Sequence, residues 1–117
     1  IDAIVETCKV GDPLTKAQKV ADDYTDSAGL RPYVWFVGGY SLGIAVPPDW
    51  CGSHWVSPRQ NLGDRFLTPG QVFNMENQFD VWEDWPGGSG AAYIDSFLVT
   101  DSGLEVLSKL PRNIVVV

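Results

Sequence analysis

At 117 residues the chain holds one domain at most, with a modest core. Its 44% hydrophobic and 20% charged residues are the composition of a folded globule rather than a disordered segment. Fifteen acidic against eight basic side chains leave a net charge of −7, which argues against nucleic-acid or anionic-membrane partners, since both need clustered positive charge.

No apolar run approaches a membrane span, and no basic-then-apolar leader is present. Cys8 and Cys51 form no Cys-x-x-Cys pair, so they read as buried or free thiols of a reducing compartment rather than as a staple. A cytoplasmic location is the default expectation.

Taken in order, Ile1, Ile4, Val5 and Cys8 recur at helical spacing, so residues 2–9 read as the end of a helix. Gly11 stops it. Asp12 is placed to cap a second helix, with Pro13 at its first position. Leu14, Ala17, Ala21, Tyr24 and Ala28 form its apolar stripe, and Gly29 ends it as a left-handed cap. Asp22, Asp23 and Asp26 read as a solvated face rather than a cation site. After Arg31-Pro32, residues 33–37 and 41–46 suit two short strands around Gly38-Gly39, glycines that permit a bulge or a close backbone approach.

Residues 49–69 read as a long loop holding Trp50, Cys51, His54 and Trp55; loops of this length are usually functional or mobile. Residues 72–81 and 91–99 are rich in Val, Phe, Tyr, Ile and Leu and flank a turn-rich centre from Asp84 to Gly90, which predicts an antiparallel hairpin. Folded about Trp85-Pro86, it would set Glu76 nearly opposite Asp95, with side chains about 5 Å apart. Such a pair is either two solvated edge carboxylates or a seat for a cation. Asp101-Ser102-Gly103 makes a tight reversal before short final strands at 105–107 and 114–117. Two helices followed by mostly antiparallel strands give an α+β layer, helices on one face of a curved sheet.

Five tryptophans are many for this length. Trp50 and Trp55 in the loop, with Trp82 and Trp85 beside the hairpin turn, would suit an apolar substrate pocket for a ring or an organic cation; ordinary packing or a covered interface is the plainer use. His54, the lone histidine, would serve as acid or base if the loop folds over a cleft, and is otherwise simply exposed. No GxSxG elbow, phosphate loop, zinc-type cysteine spacing or HExxH is present.

Three segments carry a resemblance. LTPGQVFNMEN and then YIDSFLVTDSGLEVLSKLP are similar to LEPGMVFTIEPG and RIEDTVLVTEDGYEVLTKLP, strings typical of the pita-bread metallopeptidase and creatinase family, which includes Xaa-Pro aminopeptidases and prolidases. GGYSLGIAVPPDW falls where prolidase-like members carry GHGIG, and is closer to the GYPIGIGYPPDW of ectoine-hydrolase-like members. The resemblance runs from Gly11 onward and implies that the chain is one domain, the C-terminal half of a pita-bread fold.

The resemblance implies hydrolysis of a C–N bond by a two-metal centre holding manganese, cobalt or zinc. Glu76 then stands for the glutamate ligand of the EPG motif, and Asp95, one methylene shorter, for that of RIED. Tyr40 replaces the GHGIG histidine, and would polarise the substrate or simply fill that space as a hydrogen-bond donor. The paired aspartate ligands of the family would lie in another half, so the metal site is expected to be incomplete here and the isolated chain inactive. The expected partners are that other half, a second copy of this chain, or a small peptide or amide substrate. The alternatives are a non-catalytic binding or dimerisation module and a creatinase-like or ectoine-hydrolase-like enzyme for small nitrogen compounds.

Overall fold

Period-2 apolar patterning on one long hairpin decides the architecture. The computed structural model describes residues 1–42, 55–56, 65–81, 89–113 and 116. Two helices, α1 (Asp2–Thr7) and α2 (Leu14–Ser27), precede a short 3-10 turn at Arg31–Tyr33. The strands are β1 (Val34–Ser41), β2 (Trp55–Val56), β3 (Val72–Val81), β4 (Ser89–Thr100) and β5 (Gly103–Val106). They form one sheet in the order β2-β1-β3-β4-β5, every neighbouring pair antiparallel. The α+β reading holds.

The two helices cover one face of this sheet. Val37, Phe73, Met75, Phe97 and Val99 point into that layer and bury with Ile4, Cys8, Leu14, Ala17, Ala21 and Leu67. Successive residues of a strand face opposite sides, so the odd-numbered positions of β3 and β4 form the core face. Cys8 is a free, fully buried thiol, and burial pushes its pKa up. None of the described helices is long and apolar enough to cross a membrane.

The α2 stripe departs from expectation. Leu14, Ala17 and Ala21 are buried, but Tyr24 is 63% exposed and Ala28 lies at the surface. Gln18 and Thr25 take the inner positions. The Thr25 hydroxyl and the Gln18 NH2 find partners there, Thr25 Oγ1 donating to Ala21 O and Gln18 Nε2 to Val37 O and Asp22 Oδ2, while Gln18 Oε1 is buried without one among the described residues. Gly29, with φ of 69°, follows the helix as the left-handed residue. Asp22 and Asp26 both pair with Arg31, and Asp23 with Lys19, on the solvated face.

Asp12 does not cap α2. Pro13 is the N-cap and makes no side-chain bond, while the Asp12 carboxylate turns back to accept from Lys9 N and Lys16 Nζ, each at 2.7 Å. These bonds, Lys16 first, hold Asp12 below the usual carboxylate range. A depressed carboxylate stabilises the fold above its unfolded value, near pH 4, and that contribution fades as pH falls through the lower folded value. Asp12→Asn is therefore expected to lower the melting temperature at pH 7, and the gap from the parent should close towards pH 3. A gap independent of pH would assign the loss to something other than the charge.

The glycines at 38–39 do not divide two strands. β1 runs through them without a break, and the register shift falls earlier, between Val34 and Phe36. The close approach that glycine permits is to β3: a Cβ at Gly39 would run into the backbone carbonyl oxygen of Asn74. Expectations for residues 43–46, for most of the loop, for the turn at 84–88 and for 114–115 and 117 lie outside the described residues.

Candidate functional site

The opposite face of the sheet carries no described helix, and polar residues gather there. Asn74, Glu76 and Gln78 alternate along β3 with Phe73, Met75, Asn77 and Phe79, so all three side chains lie on the face opposite the helices. Tyr40 of β1 pairs with Asn74, and Gly38 with Glu76. Across the hairpin, Glu76 pairs with Ile94.

Glu76 is the acceptor at the centre of this cluster. Its Oε1 accepts the Tyr40 hydroxyl proton and, at 2.9 Å, Asn74 Nδ2; its Oε2 accepts Gln78 Nε2 at 3.0 Å. The Asn74 amide is fixed in orientation, because its Oδ1 accepts the Tyr40 backbone N–H at 3.0 Å, which leaves only the NH2 side for Glu76. Asn74 is itself buried, so the clamp on the carboxylate is internal. The Tyr40 hydroxyl is thereby committed as a donor to Glu76. A carboxylate offers about four acceptor positions. Among the described residues three side-chain donors occupy Glu76, and the spare position falls on Oε2. The arrangement holds an acceptor in one place and leaves it one further hydrogen bond to accept.

Asp95 is not part of this site. The register pairs it with Met75 rather than Glu76, which puts it on the helix-covered face. It is 5% exposed, and its Oδ1 accepts the backbone N–H of Ser96. A one-residue difference in register moves a side chain to the other face, so the expected facing pair of carboxylates does not form. Aligned back from Leu98-Val99-Thr100, the RIED-type string likewise sets Ile94, not Asp95, under its glutamate.

A divalent ion held by protein needs several oxygen or nitrogen ligands to converge. Glu76 and Asp95 diverge, and among the described residues no group of three His, Cys, Asp or Glu side chains comes together. The donors on Glu76 compete for the same lone pairs. The described residues therefore do not fit the divalent ion that the resemblance implies.

Of the other expected site residues, Trp55 contributes its backbone, pairing with Tyr40 at the sheet edge. Trp50, His54, Trp82 and Trp85 lie outside the described residues, so the aromatic pocket and the histidine acid-base stay as expectations. A groove of about 250 Å³ lies on the other side, between the helices and the sheet, lined by Tyr24, Asn77, Phe79 and Tyr93 among others; it does not include Glu76. Asn74, Gln78 and Ile94 were not singled out by sequence reasoning. The polar alternation 74-76-78 within an apolar strand was the signal that could have found the first two.

No family model matches the chain. Over 78 residues, 67% of its length, the chain is 38% identical to ectoine hydrolase of Halomonas elongata and 36% identical to the uncharacterized hydrolase/peptidase y4tM of Sinorhizobium fredii. The aligned stretch spans 18% of each of those relatives. In fold it superposes on X-Pro aminopeptidase from Thermotoga maritima, with a TM-score of 0.76 and 22% identity over 99% of this chain and 30% of the other. Prolidase from Pyrococcus furiosus gives a TM-score of 0.74 and 21% identity over 95% of this chain and 30% of that one. Two helices on one face of an open antiparallel sheet, with that superposition, define half of a pita-bread fold. Sequence and fold together make the chain a member of the pita-bread metallopeptidase and creatinase family, matched over part of its length.

Proposed function

We propose that the protein hydrolyses a C–N bond in a small nitrogen compound or an Xaa-Pro peptide, with Glu76 as the proton acceptor of the reaction. The observation that carries this reading is the carboxylate itself. It lies on the face that no described helix covers, held by Tyr40, Asn74 and Gln78, with one acceptor position left spare by the described residues. A water or a substrate N–H docked there would meet a base whose orientation is already set, and positioned acid-base groups contribute about 10²–10⁴-fold to rate. Tyr40 is then a positioning residue, since its proton is committed to Glu76. The likeness to ectoine hydrolase and, in fold, to X-Pro aminopeptidase supports the bond type. In this reading the metal centre is incomplete in these residues, which the separation of Glu76 and Asp95 onto two faces supports.

The test is release of the new amine from ectoine and from Xaa-Pro dipeptides by the protein and by its Glu76→Gln variant. Gln keeps the shape of Glu but removes the charge and the basicity. The expected result is turnover of at least one compound, with kcat/KM reduced about 10²–10⁴-fold in the variant. Turnover that survives the substitution within tenfold, or no turnover of either class, would overturn the reading.

A further inference from the structure

The side chain facing Glu76 across the hairpin decides what this face can hold. Side chains paired on one face of an antiparallel ladder lie about 5 Å apart, close enough for two carboxylates to share one divalent ion. Glu76 has Ile94 in that place on β4 and Gly38 on β1. Ile94 is 52% exposed and offers no lone pair, and Glu76 is already engaged by Tyr40, Asn74 and Gln78. We infer that Glu76 works as a hydrogen-bond acceptor without a divalent ion, and that Ile94 is the residue that excludes the ion from this face. The inference rests on register and hydrogen bonding, not on hydrolysis, and binding reads it directly.

The experiment is Mn2+ titration by calorimetry on the protein, on Glu76→Gln, on Ile94→Glu and on the double variant Glu76→Gln/Ile94→Glu. Ile94→Gln serves as a neutral control of similar size, and circular dichroism checks that each variant is folded. Because Ile94 is half exposed, the substitutions introduce no buried charge. The protein, Glu76→Gln and Ile94→Gln are expected to bind Mn2+ alike and weakly. Ile94→Glu should bind about tenfold tighter or better, since it sets two carboxylates within reach of one ion. The double variant should lose that gain, which locates the new site at the 76/94 pair. The inference is overturned if the parent protein binds Mn2+ tightly and Glu76→Gln weakens it tenfold. It is equally overturned if folded Ile94→Glu binds no better than Ile94→Gln. Activity failing on every C–N substrate would leave these binding results standing, so the two readings fail separately.

Discussion

Gly39→Ala is expected to cost the fold at least ~3 kcal/mol, read as a lowered urea midpoint at unchanged slope. The added Cβ would enter the carbonyl oxygen of Asn74 and lie 2.9 Å from the Met75 sulfur. The methionine can swing aside, because three rotatable bonds make it adaptable. The carbonyl cannot, because Asn74 sits inside the β1–β3 ladder, paired with Tyr40 on one side and Ser96 on the other. Relief therefore means parting two central strands of a five-stranded sheet. Gly29→Ala supplies the comparison. Nothing lies within 4 Å of a Cβ at Gly29, and its φ of 69° is the only obstacle. That change should cost about 1 kcal/mol, the ordinary penalty for a left-handed non-glycine residue. If Gly39→Ala proves no worse than Gly29→Ala, the close approach of β1 to β3 is not a determinant of the fold. The same substitution would push Tyr40 away from Asn74 and Glu76, so any activity should fall with the stability.

Most of the hairpin was legible and its register was not, for one physical reason. Strand formation depends on local residue type, and the Val and Phe of the first arm and the Tyr, Ile, Phe, Leu and Val of the second state it plainly. Register depends on how many residues the reversal consumes, and a shift of one reverses every face. Folding about Trp85-Pro86 set Glu76 against Asp95; the structure pairs Glu76 with Ile94. A second cue was present in the sequence. Phe73 and Met75 on one arm, and Phe97 and Val99 on the other, are the apolar alternates that must share the core face, and Asp95 shares their parity. Read that way, Asp95 was already assigned to the helix side. Helix α2 shows the complementary limit. Its stripe was read from apolarity, which passed over Gln18 and Thr25, whose burial depends on Val37 O and Ala21 O becoming available as partners. The aromatic side chains of the loop and the hairpin turn lie outside the described residues and add nothing to either side.

Phe97→Ala is expected to destabilise the protein by about 3–5 kcal/mol, a large share of the 5–15 kcal/mol typical of a domain. Phe97 is fully buried and stacks on its cross-strand partner Phe73, with ring centroids 5.4 Å apart and planes 21° from parallel. Deleting the ring removes its burial, its stacking and the filling of the space between sheet and helices. Phe97→Leu, which keeps much of the volume, should cost about 1.5 kcal/mol or less. The consequence for the site distinguishes the two faces of one hairpin. Phe73 and Phe97 are the core-side residues immediately before Asn74 and three positions beyond Ile94, so their stack pins the register that brings Glu76 opposite Ile94. Phe97→Ala should therefore lower activity only in proportion to the unfolded fraction, and substrate or low temperature that restores folding should restore turnover. Glu76→Gln should do the reverse, lowering turnover about 10²–10⁴-fold while costing about 1 kcal/mol of unfolding free energy, since the Gln oxygen still accepts from Tyr40 and Asn74 and its NH2 can donate to the Gln78 amide once that amide turns its oxygen inward. Unfolding midpoint and turnover measured on both variants separate these roles. If Phe97→Ala lost activity while fully folded, the core stack would be shaping the site directly rather than holding the register beneath it.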